Sequence, residues 1–241
     1  MSGFFYNLGR KAAPAVLRTR WIYRSLTGTE SERIKSEYAM GCYLTYLHTR
    51  DGNLDRTPQT VRWLNETAGR LAHCLTNRER RFQVRCLNSP EANAFALPGG
   101  FLFVSRALLD LCGFDEDEIA FVLAHEMGHV VRSHSFNRLL TSEVAKVLSR
   151  GGPIKGALKP LVSRLINQLV TQGYSRRQEF EADHFAARLT LAAGYNPQAS
   201  LRFFERLKAE ATEPENLAAY FSSHPPFSDR IRRLLENFPA D

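Results

Sequence analysis

The chain has 241 residues, a formal net charge of +7 and an isoelectric point near 9.4, which suits one globular domain with a full core. Its apolar runs are shorter than the 18 or more residues that a membrane-spanning helix needs, so we expect no integral membrane protein. Cys42, Cys74, Cys86 and Cys112 lack CxxC spacing and lie in apolar stretches, which excludes a disulfide scaffold and predicts buried free thiols in a reducing compartment.

Two segments carry most of the excess positive charge. Residues 1–29 hold five basic residues and no acidic one, and residues 138–177 hold eight basic residues against one glutamate. Basic residues interleaved with apolar ones are typical of helices on anionic membranes, although a solvated basic face has the same composition. No nucleic-acid-binding fold or aromatic stacking platform accompanies the charge, so we expect no nucleic-acid partner.

Residues 1–29 are predicted to form a basic amphipathic arm ahead of a single domain, residues 30–241. They lack the apolar core and cleavage site of a signal peptide, so we expect a cytoplasmic protein that is peripheral on a membrane. In a eukaryote, the same acid-free segment could instead be a mitochondrial presequence.

Apolar periodicity and turn residues predict a helix-rich α+β domain with a hairpin around Pro98-Gly99-Gly100. Thr57-Pro58 is a typical helix entry. In chain order, we expect helices at about 30–49 and 58–76, strands at 82–87, 95–97 and 101–104, helices at 105–112 and 115–135, a helical insertion at 138–174 near the predicted site, and helices from Glu179 to Gly194, from Asn196 to about 210, and after Pro226.

The sequence His125-Glu126-Met127-Gly128-His129 predicts a zinc-binding helix. Residues i and i+4 share one helix face, so the two imidazoles can hold one Zn²⁺ while Glu126 acts as general base toward a water. Asp115 is expected to cap this helix, with Glu118 completing a capping box. A surface helix that happens to carry these residues is the alternative.

A second helix is expected to supply the remaining metal ligand. Zinc in hydrolytic sites takes three protein ligands, and Glu179 and Asp183 are again spaced i and i+4. We predict Glu179 as the third ligand and Asp183 as the carboxylate that accepts the other N–H of a zinc histidine, His125 in our assignment. Glu181 points away from that face and is the less favoured ligand.

Together with two further stretches, these motifs resemble the gluzincin metallopeptidase family that includes the CaaX prenyl protease, HtpX, BepA and LoiP. The first stretch, residues 93–104, is similar to the family's strand and turn before the zinc helix. The second, Ser223-His224-Pro225-Pro226 with Asp229-Arg230-Ile231, is similar to its C-terminal motif. The resemblance spans residues 93–231 and implies a zincin-like α+β domain with a small sheet above the active-site helix.

The resemblance also implies one Zn²⁺ per chain and further site residues. His224 is expected at the active site, where it could donate to the oxyanion or act as a fourth zinc ligand at rest; the alternative is a structural histidine beside two prolines. The strand containing Asn93, Ala94, Phe95 and Ala96 is expected to receive an extended or unfolded polypeptide as an added β-strand.

The predicted function is zinc-dependent peptide-bond hydrolysis in quality control of misfolded or membrane-associated proteins. The alternative is a catalytically silent zinc protein that acts as a chaperone or membrane adaptor.

Overall fold

The computed structural model describes residues 28–50, 52–141, 173–196, 198–210, 220, 224 and 228–237. The predicted arm, residues 1–29, and the predicted insertion, residues 138–174, lie largely outside these ranges and remain predictions. The described elements are α1 (Glu30–Thr49), β1 (Leu54–Asp55), α2 (Pro58–His73), β2 (Gln83–Leu87), β3 (Ala94–Leu97), β4 (Phe101–Ser105), α3 (Arg106–Leu111), α4 (Glu116–Val131), α5 (His134–Thr141), α6 (Arg176–Ala192), α7 (Ala199–Glu210) and α8 (Ser228–Asn237).

The described strands form a four-stranded mixed sheet in the order β1-β2-β4-β3. Strands β2 and β4 run parallel, whereas β1 pairs with β2, and β3 with β4, in antiparallel fashion. The predicted hairpin is confirmed: Gly99 and Gly100 turn the chain with φ of 82° and 95°, which glycine adopts without steric cost. Phe95 and Phe103 pair across the hairpin and stack with ring centroids 4.8 Å apart. Strand β1 was not predicted, because two residues carry no alternation signal.

Helix α4 is the centre of the fold. Every residue from Glu118 to Val130 is buried, and the helix packs against α6 most extensively and also against β3, α2 and α7. The small sheet therefore packs onto the helix that carries the histidine motif, and the predicted helix-rich α+β class is confirmed.

The N-terminus of α4 is capped as expected, but without the capping box. The Asp115 side chain accepts hydrogen bonds from the backbone N–H groups of Asp117 and Glu118. The expected return bond from Glu118 is absent from the described contacts, since its buried carboxylate pairs with Arg206 on α7 at 2.9 Å. An ion pair with a neighbouring helix therefore takes the place of the return bond, while the Asp115 cap remains.

Helix α4 also ends earlier than the predicted residue 135. It stops at Val131, and Ser133 adopts φ of 54° before α5 begins at His134. The Ser133 hydroxyl donates to Glu37 Oε1 of α1 at 3.1 Å, and the Arg80 guanidinium donates to Glu37 Oε2 at 2.8 Å. This buried tertiary contact fixes a turn that the apolar pattern did not reveal.

The prediction of buried thiols holds for two cysteines and is wrong for two. All four are free, but Cys42 and Cys74 are exposed while Cys86 and Cys112 are buried. On α1, the neighbouring Gly41 and Leu44 face the core, and one residue along a helix turns a side chain by about 100° away from that face. Apolar neighbours in sequence therefore did not determine burial. Within the described residues, no helix is long and apolar enough to cross a bilayer.

Candidate metal centre

Helix α4 brings two imidazoles together at the bottom of the site. His125 and His129 are buried, and their Nε2 atoms lie 3.1 Å apart. Burial is the largest influence on the His129 ring and lowers its pKa to about 3. The ring is therefore neutral at physiological pH, with a nitrogen lone pair available to a metal.

Helix α6 adds a carboxylate from the side. Ser175 and Gln178 form a capping box that starts the helix, and Glu179, at 1% exposure, follows in the first turn. Its Oε1 lies 3.4 Å from His129 Nε2, and its Oε2 lies 3.7 Å from His125 Nε2.

Gly128 lets the two helices come this close. A Cβ added at Gly128 would lie 3.1 Å from the Phe185 ring and 3.2 Å from Ala182 Cα, which is tighter than ordinary van der Waals contact. A larger residue between the two histidines would therefore push α6, and Glu179 with it, away from α4.

The donor set fits one zinc ion. His125, His129, Glu179 and His224 are all buried, and one ligand atom from each lies within 4.8 Å of all the others. A tetrahedral site with bonds of 2.0–2.1 Å places neighbouring donors roughly 3.3 Å apart. The separations of 3.1 to 3.7 Å among the first three donors match that value, and nitrogen and carboxylate oxygen are donors that zinc prefers.

Glu126 and His224 face each other across the donor set. His224 Nε2 lies 3.4 Å from Glu126 Oε1, and His224 Nδ1 lies 3.1 Å from Glu179 Oε2. Burial alone would lower the pKa of His224, but the two carboxylates outweigh it and raise the pKa to about 10. Burial would raise the pKa of Glu126, but His224 outweighs it, so that pKa lies below its usual value. Glu126 is thus ionised and able to accept a proton.

One oxygen of Glu126 is open to a further partner. Glu126 Oε2 is buried and has no hydrogen-bond partner among the described residues. A buried carboxylate oxygen costs free energy unless something donates to it. A water molecule beside the donor set would meet this need.

A buried ion pair supports the His125 side of the site. Asp183 Oδ1 lies 2.9 Å from His125 Nδ1, and Arg230 donates to both Asp183 oxygens at 2.7 Å. Arg230 Nη1 also lies 2.9 Å from Glu179 Oε2. Burial would raise the pKa of Asp183, but the Arg230 guanidinium outweighs it and holds that pKa below its usual value.

The His129 side has partners that the sequence analysis did not assign. His129 Nδ1 lies 3.0 Å from His134 Nδ1, and the Tyr174 ring stacks on His129 with centroids 3.6 Å apart. Glu181, which was set aside as a ligand, lies with Oε2 3.4 Å from His134 Nε2. The sequence does show a histidine, His134, five residues after His129. Helical periodicity would have placed it on another side of the helix, because the pattern does not reveal the turn at Ser133.

The predicted substrate strand borders the site. Strand β3 covers Ala94–Leu97 at the edge of the described sheet, with β4 on its other side. Ala94 O lies 3.5 Å from His224 Nε2. Asn93 precedes the strand, and its carbonyl accepts from Ser105 N at 2.9 Å. Phe95 and Ala96 are buried, as are the other two residues of β3, so both the side chains and the backbone of this strand are covered in the structure.

Comparison with known proteins gives a consistent result. Residues 58–237 match the family model described as Peptidase family M48. The chain is 32% identical to the mitochondrial metalloendopeptidase OMA1 of Schizosaccharomyces pombe over 66% of this chain and 47% of that protein. It is 30% identical to the metalloprotease LoiP of Escherichia coli over 63% and 60%, and 25% identical to the beta-barrel assembly-enhancing protease of Escherichia coli over 86% and 43%. The chain thus spans about half the length of the curated relatives it matches.

Proposed function

The chain belongs to peptidase family M48, and from that premise we propose that it is a zinc-dependent metalloendopeptidase. The observation that carries the proposal is the buried donor set of His125, His129 and Glu179 beside the ionised carboxylate of Glu126. A structural zinc site would need no such carboxylate with an open oxygen, because its four ligands close the coordination sphere.

We assign His125 Nε2, His129 Nε2 and a Glu179 oxygen as the ligands of one Zn²⁺ per chain. Zinc bound there supplies a Lewis acid that polarises the scissile carbonyl and acidifies a nearby water. Asp183 holds the His125 ring by its other nitrogen, and Arg230 holds both Asp183 and Glu179. Such outer contacts orient ligands and raise their basicity.

Glu126 moves the proton. Its Oε2, open among the described contacts, accepts a proton from the attacking water and then returns it to the leaving amine. The depressed pKa of Glu126, which His224 causes against the effect of burial, keeps the carboxylate ionised and ready to accept.

His224 is proposed to donate a hydrogen bond to the oxyanion during turnover. Its raised pKa, which arises because the carboxylates of Glu179 and Glu126 outweigh burial, keeps the ring protonated and therefore a donor. Its place in the donor set also supports a second role at rest, in which the ring would lose its extra proton and act as a fourth zinc ligand that would exclude water.

The proposed substrate is an extended polypeptide that adds to the edge of β3, and because this strand is buried the edge must be uncovered before the substrate can pair with it. Main-chain pairing is largely independent of side-chain sequence, which suits the removal of misfolded or membrane-associated proteins. The basic residues of 1–29 and 138–177 are proposed to hold the enzyme on an anionic membrane surface. The relatives named as mitochondrial and as an enhancer of β-barrel assembly are compatible with work at a membrane.

The experiment compares the wild type with Glu126→Gln in zinc analysis and casein degradation. We expect one zinc per chain in both proteins and cleavage by the wild type alone. Glu116→Gln is the matched control, because it makes the same change in the first turn of α4 at a half-exposed side chain and should retain activity. Equal zinc content without cleavage by the wild type would instead support the zinc-binding chaperone or adaptor.

A further inference from the structure

We propose that His134 is a positioning residue for the zinc ligand His129, and that it holds the ring through a chain of contacts that ends on Glu181. This inference rests on the proposed function, because it concerns how one of the proposed ligands is oriented. We call the contacts from His129 through His134 to Glu181 the His134 support.

The His134 support is defined by short contacts in a nearly dry environment. His129 Nδ1 lies 3.0 Å from His134 Nδ1, and His134 Nε2 lies 3.4 Å from Glu181 Oε2. His129 is fully buried and His134 is 6% exposed. At the outer end, Arg177 Nε donates to Glu181 Oε1 at 2.8 Å. The contacts thus run from the metal centre to the protein surface.

Only one arrangement of protons fits these contacts with neutral rings. His129 Nε2 faces Glu179 and His125 Nε2, so this nitrogen is the one that binds the metal and the proton of His129 is on Nδ1. That N–H donates to His134 Nδ1, which must then accept. The proton of His134 is therefore on Nε2, where it faces the Glu181 carboxylate. Each ring fixes the tautomer of the next.

The backbone places His134 where a helix could not. Within an unbroken helix, a residue five positions after His129 would be rotated by about 500°, or 140° beyond a full turn, away from the metal-facing side. The turn at Ser133, with φ of 54°, breaks the helix and returns the chain so that His134 begins α5 beside the His129 ring. This turn is held by the contact of Ser133 with Glu37.

One face of the His129 ring is also fixed. Tyr174 stacks on it with centroids 3.6 Å apart and planes within 12°, and the Tyr174 hydroxyl lies 3.2 Å from Ser135 Oγ. Tyr174 therefore sets the plane of the ring, while His134 sets its rotation within that plane. Both constraints are needed to aim Nε2 at a metal.

The two histidine ligands are therefore supported differently. His125 faces a carboxylate directly, and Arg230 neutralises that carboxylate. His129 faces a neutral imidazole, with the carboxylate of Glu181 one residue further out. A neutral acceptor withdraws the ligand proton less strongly than a carboxylate, so the His134 support contributes orientation more than basicity. This predicts that removing the acceptor weakens zinc binding without removing a ligand.

The test compares His134→Leu with His134→Asn, each in the full-length Glu126→Gln protein to prevent self-cleavage. The two new side chains have similar size, but only Asn offers an acceptor near the position of His134 Nδ1. Zinc affinity is measured by competition with a chromophoric chelator. We expect His134→Leu to weaken zinc binding by about 10–100-fold, as for other outer contacts of metal ligands, and His134→Asn to stay within a few-fold of the parent protein. His73→Leu, at an exposed histidine at the end of α2, is the control and should have no effect.

A second measurement reads the tautomers directly and does not depend on whether a variant folds. Long-range ¹H–¹⁵N correlation spectra of the zinc-loaded parent protein, labelled at histidine, should show His129 protonated at Nδ1 and His134 protonated at Nε2 alone. A proton on His134 Nδ1, or equal zinc affinity of the Leu and Asn variants, would overturn the His134 support. Failure of the wild type to bind zinc at all would instead reject the proposed function, so the two failures are distinguishable.

Discussion

Replacing Arg230 by methionine should cost the metal-free protein more stability than any exposed substitution. Arg230 is 2% exposed, donates twice to Asp183 at 2.7 Å and lies 2.9 Å from Glu179 Oε2. The substitution keeps much of the side-chain volume but leaves two buried carboxylates without their guanidinium. Breaking a buried ion pair from one side typically costs about 3–5 kcal/mol, and we expect that loss in the free energy of unfolding at pH 7.

The assay is urea unfolding in the presence of a chelator, at several pH values. Since Arg230 outweighs burial and depresses the folded-state pKa of Asp183, the stabilisation is present above the unfolded pKa of about 4 and is lost as pH falls through the folded value. The difference between wild type and Arg230→Met should therefore shrink below about pH 4. Arg232→Met is the control, because its exposed pair with Asp229 should contribute less than about 1 kcal/mol. A similarly small loss for both variants at pH 7 would refute the reasoning.

Four further predictions test the site and its surroundings. Glu179→Ala should lose most bound zinc and all proteolysis, and stoichiometric zinc in a metal analysis would move the third ligand elsewhere, with Glu181 the next candidate. His224→Ala should lower kcat by roughly 10²–10³ with little change in KM, as for loss of an oxyanion donor; unchanged kinetics would remove His224 from the mechanism, and faster turnover would reveal self-inhibition. Gly128→Val should lower the free energy of unfolding by roughly 1–3 kcal/mol, as for overpacking, because a Cβ there already meets α6 at 3.1 Å; an unchanged urea midpoint would contradict this. Deleting residues 1–29 should weaken sedimentation with anionic liposomes and spare peptide hydrolysis, whereas equal binding would move the membrane contact to 138–174.

The sequence predicted much of the architecture because local rules sufficed there. The i and i+4 spacings on two helices, the Pro98-Gly99-Gly100 turn and the Asp115 cap all depend on residues close in sequence. The structure brings the side chains of both helices together in one donor set, while the role of each residue remains a prediction.

The rest depends on contacts between residues distant in sequence, which spacing does not encode. Arg230 was noticed only within a motif, although it holds two carboxylates 47 and 51 positions earlier in the chain. The end of α4 is set by Glu37 of α1 through Ser133, and His134 gains its place only from that turn. The Glu118 carboxylate likewise pairs with Arg206 and does not complete the expected capping box with Asp115. In each case a tertiary ion pair or hydrogen bond outweighed a local preference.

The most direct test of the central claim is a zinc titration of metal-free protein, followed by cleavage of an unfolded polypeptide such as casein. The account predicts that activity rises in proportion to added zinc and stops rising at one equivalent per chain. Glu126→Gln should bind the same single equivalent, with no cleavage at any zinc concentration. Cleavage by Glu126→Gln at more than a few per cent of the wild-type rate, or wild-type activity that does not depend on zinc, would contradict it.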